Sequence, residues 1–204
     1  MGREDSGAAR KTSLVGLTLA LWFCGALGVS VSGILTHVRP PMPQLLIAVL
    51  TTASLIAVFR VSIFRAWADD VAIRALVAIH LTRFVGVYFL LLARQGTLAA
   101  RFAVPAGYGD IFVATFALGL ILIGEPSSRW RRGLYLVWNS LGLVDILLVV
   151  GNAARVGLAD PPSMQPLLRL PLSLLPTFLV PVIITSHLLI FRRLLRGESR
   201  GVAS

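Results

Sequence analysis

The sequence predicts an all-α polytopic membrane protein: a bundle of six transmembrane helices with both termini in the cytoplasm. Three observations predict it. Of 204 residues, 56% are hydrophobic and 14% charged, with a mean hydropathy of +0.84. Soluble domains carry about 45–50% apolar and about 25% charged residues. The apolar residues gather into six runs near the length of about 20 residues that a bilayer requires. The basic residues cluster at alternate ends of those runs, as orientation in a membrane demands.

The first run, 13–36, follows a predicted cytoplasmic tail over residues 1–12. Its apolar stretch from Leu14 to Leu35 is too long for a secretory signal, and the preceding GREDSGAARK is mixed in charge. It reads as an anchor that stays in the membrane. Cys24, Gly28 and Ser32 recur at steps of four along it and predict a packing seam of small residues. HVRPPMPQ, residues 37–44, is a stiff proline-rich outer turn and leads into the second run, 45–64. The third run is 71–93.

The fourth run, 105–124, opens on PAGYGD. Pro105 suits a first helical turn. Gly107 and Gly109 permit a bend or a close backbone approach. Asp110 near a helix N-terminus is favoured by the helix dipole. The fifth run is 133–154, followed by the longest outer connection, ARVGLADPPSMQP. The sixth, 167–191, carries Pro171, Pro176 and Pro181. An interior proline frees the carbonyl four residues back, here Leu172 for Pro176 and Thr177 for Pro181. A basic tail, 193–204, closes the chain. The connections are short, so there is no room for a separate soluble domain.

Counting Lys and Arg settles the expected topology. The N-terminal tail (Arg3, Arg10, Lys11), the second connection (Arg60, Arg65, Arg74), the fourth (Arg129, Arg131, Arg132) and the C-terminal tail (Arg192, Arg193, Arg196, Arg200) hold thirteen basic residues. The other side holds five: Arg39, Arg94, Arg101, Arg155 and Arg169. Short basic-rich connections stay cytoplasmic, which places both termini inside. The net charge of +10 thus marks the ends of spans. It forms no basic stripe interleaved with aromatics, so nucleic acid is not an expected partner. The expected partners are the lipid bilayer, a small-molecule or ion substrate, and a second membrane protein. The single cysteine, Cys24, allows neither an intrachain disulfide nor a cysteine-based metal site.

Arg83 is the one basic residue left inside a span. A charge near the bilayer centre costs about 2.5–3.5 kcal/mol on insertion scales, so each such residue needs a reason. Six candidate site residues lie within the spans: His80 and Arg83 in the third, Asp110 in the fourth, Asn139 and Asp145 in the fifth, His187 in the sixth. His80 and Arg83 are three apart and share a face. Asn139, Gly142, Asp145 and Asn152 form one polar stripe at about 100° per residue. Counting about 1.5 Å per residue puts Arg83 and Asp145 at similar depth, roughly 18 Å in, with Asp110 nearer the outer surface. Arg83–Asp145 is therefore the expected central pair.

Two roles remain open for this cluster. It can hold helices in register, as polar contacts between membrane helices do. It can also form an ion, proton or ligand path, with Arg83 holding an anionic group or countering Asp145 and a histidine exchanging protons. Haem b is a further alternative, with His80 and His187 as axial ligands on separate helices. No other metal site is expected, and no catalytic residue is assigned. HExxH, GxSxG and Walker patterns are all missing. Three functions follow: a small transporter or solute-binding membrane protein, a haem-binding or redox membrane protein, and a non-catalytic accessory or assembly subunit.

RFVG (83–86), RFAVPAGYGD (101–110), WNSLGLVD (138–145) and LLPTFLVP (174–181) with the later His187 together resemble a group of small multi-span bacterial membrane proteins. The likeness covers roughly residues 80–190. It implies a protein of a bacterial cytoplasmic membrane and carries no activity with it.

Overall fold

Apolar side chains at nearly every position leave a helix no polar face, so it must be wrapped by other helices or by lipid. The computed structural model describes the backbone of residues 2–201 and the side chains of residues 9–196. The side chains of Arg3 and Arg200, and the ends of both predicted tails, lie outside the described residues. Among the described residues there is no strand. The helices are α1 (Gly2–Val31), α2 (Met42–Arg60), α3 (Ser62–Asp70), α4 (Ile73–Ala78), α5 (Gly86–Arg94), α6 (Ala100–Ile123), α7 (Arg129–Ala159) and α8 (Val180–Gly201).

Among the described residues, six segments are long and apolar enough to cross a membrane: Ala9–Val31, Met42–Arg60, Ile73–Arg94, Ala100–Ile123, Arg129–Ala159 and Leu175–Arg196. They mark the chain as an integral membrane protein. The last span is the most enclosed, with 56% of its apolar window buried, against 17% for the first and 11% for the second. The third, fourth, fifth and sixth spans thus form the centre. α2 packs on α8, and α1 lies at the edge against α3.

Several boundaries differ from the expected ones. The first span stops at Val31 because Gly33 takes φ 72, a left-handed turn that only glycine adopts freely. The expected second run divides at Val61, whose extended backbone separates α2 from the amphipathic α3. α3 buries Ala68 and exposes Asp69 and Asp70. Asp70 accepts from Lys11 at 3.1 Å, and Asp69 pairs with Arg192 at 2.8 Å and Arg196 at 3.4 Å. α3 therefore ties α1 to α8 at this end. The sixth span opens on a wide π-type turn, Leu175–Leu179, rather than at 167.

α6 begins at Ala100, so Pro105 sits inside the helix and not in its first turn. Its missing N–H leaves the Arg101 carbonyl without a helical donor. Asn152 Nδ2 donates to that carbonyl at 3.1 Å. Pro181 does the same to Thr177, and Trp22 Nε1 of α1 donates to the Thr177 carbonyl at 2.9 Å. Leu172, freed by Pro176, accepts from the Leu175 N–H at 3.0 Å. With no water in the hydrocarbon, such groups must find protein donors. Here two of them dock neighbouring helices.

The expected small-residue seam on α1 does not pack. Cys24 is exposed, and a Cβ on Gly28 would meet nothing within 4 Å. The close approach lies elsewhere, between α5 and α6. A Cβ on Gly86 would run into the Gly107 carbonyl, and one on Gly107 would lie 2.8 Å from the Gly86 carbonyl. Replacing Gly107 by Val should therefore force these helices apart. Overpacking of this kind costs about 1–3 kcal/mol. The purified variant should melt well below the wild type; an unchanged melting temperature would mean that the two backbones do not touch.

Candidate functional site

The middle of the third span is not α-helical. Residues Ile79–Val85 wind as a tighter 3-10 helix between α4 and α5. Three residues per turn eclipse positions i and i+3. His80 and Arg83 thus stand one above the other, 0% and 1% exposed. Arg83 Nε donates to Asp110 Oδ1 on α6 at 2.6 Å. Its Nη1 donates to the Gly142 carbonyl of α7 at 3.1 Å, and its Nη2 to Asp145 Oδ2. One guanidinium joins three spans, with all three nitrogens engaged.

This corrects the expected order of the pair. Asp110 is no outer-surface residue. It lies ten residues into α6, about 15 Å along the axis at about 1.5 Å per residue. It is 4% exposed, while the Asp145 side chain keeps 25% of its surface. Asp110 is the more enclosed partner, and both carboxylates share Arg83. Because its nitrogens are committed to the protein, Arg83 is a counter-charge and not the expected holder of a free anion.

Glycines make the room. The Gly86–Gly107 approach brings Asp110 to Arg83. A Cβ on Gly109 would overlap the Asp145 carboxylate, and one on Gly142 would lie 2.6 Å from His187 Cε1.

The histidines occupy the adjoining half. Asn139 Nδ2 donates to the His187 carbonyl at 3.0 Å, which turns Asn139 Oδ1 toward His187 Nδ1 at 2.8 Å. An amide oxygen only accepts, so Nδ1 carries the proton and Nε2 keeps a lone pair. Ser186 Oγ donates to the Ile183 carbonyl at 2.8 Å and faces His80 Nε2 at 3.0 Å. With the hydroxyl proton committed, Nε2 of His80 donates and Nδ1 is left bare. That atom has no partner among the described residues. The assignment follows from the hydrogen-bond network, as tautomers must. The two ring centroids are 4.2 Å apart, and Trp138 stands edge-on to His80 at 5.0 Å.

That spacing does not fit the haem alternative. A metal–imidazole bond is about 2.0–2.1 Å and lies outside each ring. Two such bonds on opposite faces of a haem already span about 4.2 Å before the rings themselves are added, so centroids 4.2 Å apart leave no room for a porphyrin between them.

All six expected site residues thus meet in one cluster. Asn152, from the same stripe, does not join it; seven residues beyond Asp145, about 10 Å along α7, it holds the Arg101 carbonyl instead. Ser186 and the Gly142 carbonyl were not expected. Ser186 could have been found as the polar residue next to His187, which with Thr185 interrupts an apolar stretch of α8.

A cavity of about 700 Å³ opens at the end of the bundle formed by the 33–41 turn and the 160–174 connection. Its walls are largely apolar, with Phe89, Phe102, Val149 and Leu168 among them. Ligand pockets commonly measure about 300–1,000 Å³. A second cavity of about 30 Å³ touches Arg83 and Asp110 and shares Phe89, Val149, Leu175 and Val180 with the first. The polar cluster therefore lies behind the inner wall of the large cavity.

The chain belongs to the family defined by the Domain of unknown function DUF8737, which matches residues 40–195. The matched region contains every residue of the cluster. No curated protein and no solved structure matches the chain.

Replacing Arg83 alone by Leu should strand the buried carboxylate of Asp110 beside the partly buried one of Asp145 and cost about 3–5 kcal/mol. Replacing Arg83, Asp110 and Asp145 together by apolar residues should restore most of that loss. Denaturation of the purified variants checks both; an Arg83→Leu protein as stable as the wild type would mean that the ion pairs do not form.

Proposed function

We propose that this member of the DUF8737 family is a small solute-binding membrane protein of the transporter kind. It sits in a bacterial cytoplasmic membrane with both termini inside, and its cavity faces the outer side. The observation that carries this reading is the cavity of about 700 Å³ whose inner wall is shared with the pocket at Arg83 and Asp110. A lone polar cluster is most economically read as glue between helices. A cluster at the foot of an open cavity is within reach of a ligand.

Charge and asymmetry support the same reading. Two carboxylates against one guanidinium leave one negative charge in excess, which a proton or a small cation would balance. Bare nitrogens on His80 and His187 offer places for a proton beside it. The opposite end of the bundle is closed by α3 and its ion pairs to Lys11, Arg192 and Arg196. One end open and the other latched is the arrangement alternating access requires. The positive-inside distribution of Lys and Arg supports a cytoplasmic position for the latched end.

One observation favours a second reading, the accessory subunit. Every nitrogen of Arg83 already has a protein partner. On that reading the cluster only locks helices, and the triple apolar variant retains the protein's whole activity.

Cysteine labelling separates cavity from solid core. In a Cys24→Ser background, Ala153→Cys at the cavity wall should react with a membrane-impermeant maleimide added from outside. Ser127→Cys, an exposed position in the connection just before α7 at the opposite end, should not. An unreactive Ala153→Cys, or one labelled only from the cytoplasmic side, would overturn the proposal.

A further inference from the structure

The cavity's ligand class can be read from its lining, and this inference rests on the solute-binding reading above. We infer that the cavity takes a single-chain anionic amphiphile: a carboxylate or phosphate head at the mouth and a hydrocarbon chain within.

The interior fits a hydrocarbon chain. Phe89, Phe102, Val149, Leu168 and Val180 surround it, and none of them offers a side-chain hydrogen bond. A polar solute would lose its water there without replacement. The mouth differs. Thr36, His37, Arg39, Gln44 and Gln165 line it. The Gln44 Oε1 atom is buried without a partner among the described residues, an acceptor that a water bridging it to an ionised head would satisfy. A buried unpaired amide oxygen is costly, so its place in a cavity wall points to an occupant.

Charge selects the head. Around this end stand Arg39, Arg94, Arg101, Arg155 and Arg169, against Asp160, which is already 3.4 Å from Arg101. Arg39 lines the cavity and is exposed at its rim, with its fork of donors free to meet an oxyanion. A cationic head would meet a net positive rim. An uncharged chain would forgo the one strong interaction on offer. Within a bilayer, lipid tails are as apolar as the cavity walls, so the head has to supply the selectivity.

The test uses the full-length protein in lipid nanodiscs and a spin-labelled long-chain fatty acid, with its methyl ester as the uncharged control. The protein should immobilise the acid and not the ester. Arg39→Gln should weaken capture of the acid about fivefold, the upper end of what an exposed ion pair contributes. Ala153→Trp, or Val150→Phe should the first not fold, should abolish it by filling the cavity. Displacement by unlabelled fatty acid or by lysophosphatidic acid would support the inference and tell a carboxylate head from a phosphate one; displacement by neither would overturn it. Equal capture of acid and ester, lost in Ala153→Trp, would overturn the anionic class and leave the solute-binding reading standing. No capture of either, together with an unlabelled Ala153→Cys, would overturn both.

Discussion

The bundle depends on one buried guanidinium shared by two carboxylates. Arg83, Asp110 and Asp145 come from three different spans, and none can sit alone in hydrocarbon without a cost of about 2.5–3.5 kcal/mol or more. Their mutual demand sets the rotation and depth of the third, fourth and fifth spans. In each of these helices the charged residue separates two apolar stretches that feed different cores. Leu76, Val113 and Trp138 belong to the core at the α3 end. Phe89, Phe102 and Val156 belong to the core at the cavity end. The triad is thus a polar layer between two apolar ones, and the close contact of Gly86 with Gly107 brings the partners within reach.

The same shortage of water explains the rest of the polar economy. Prolines 105 and 181 break the helical ladders, and each freed carbonyl is taken by a side chain of another helix, Asn152 or Trp22. The irregular backbone gathers where it can serve. The 3-10 turn stacks His80 on Arg83, and the wide turn at Leu175–Leu179 lines both cavities through Leu175. Non-helical backbone at membrane depth is tolerated where protein or a cavity surrounds it.

How much of this was legible in the sequence follows from which physics is local. The six spans were, because length and hydropathy are properties of single segments. The members of the polar cluster were, because an ionisable group in an apolar run stands out wherever the run is placed. Its pairing was read only in part. Pro105 reads as a helix start, which puts Asp110 outward by more than a turn; the proline is tolerated deeper because Asn152, 51 residues along the chain from Arg101, supplies the missing donor from α7. The Cys24–Gly28–Ser32 seam has the right spacing for packing but nothing to pack against. The haem alternative needed a distance between two rings that no spacing along the chain contains. The cavity was invisible for the same reason, since its walls come from five separate segments and its existence depends on how they fail to meet.

The central claim is that Arg83 is held between Asp110 and Asp145 in the dry middle of the bundle. Its most direct test is nitrogen-15 NMR of the arginine Nε–H groups in the folded protein. The account predicts one signal that exchanges with solvent far more slowly than those of the exposed arginines, disappears in Arg83→Lys and shifts in Asp110→Asn. Arginine signals that all exchange at solvent rates, with none tied to Asp110, would contradict it.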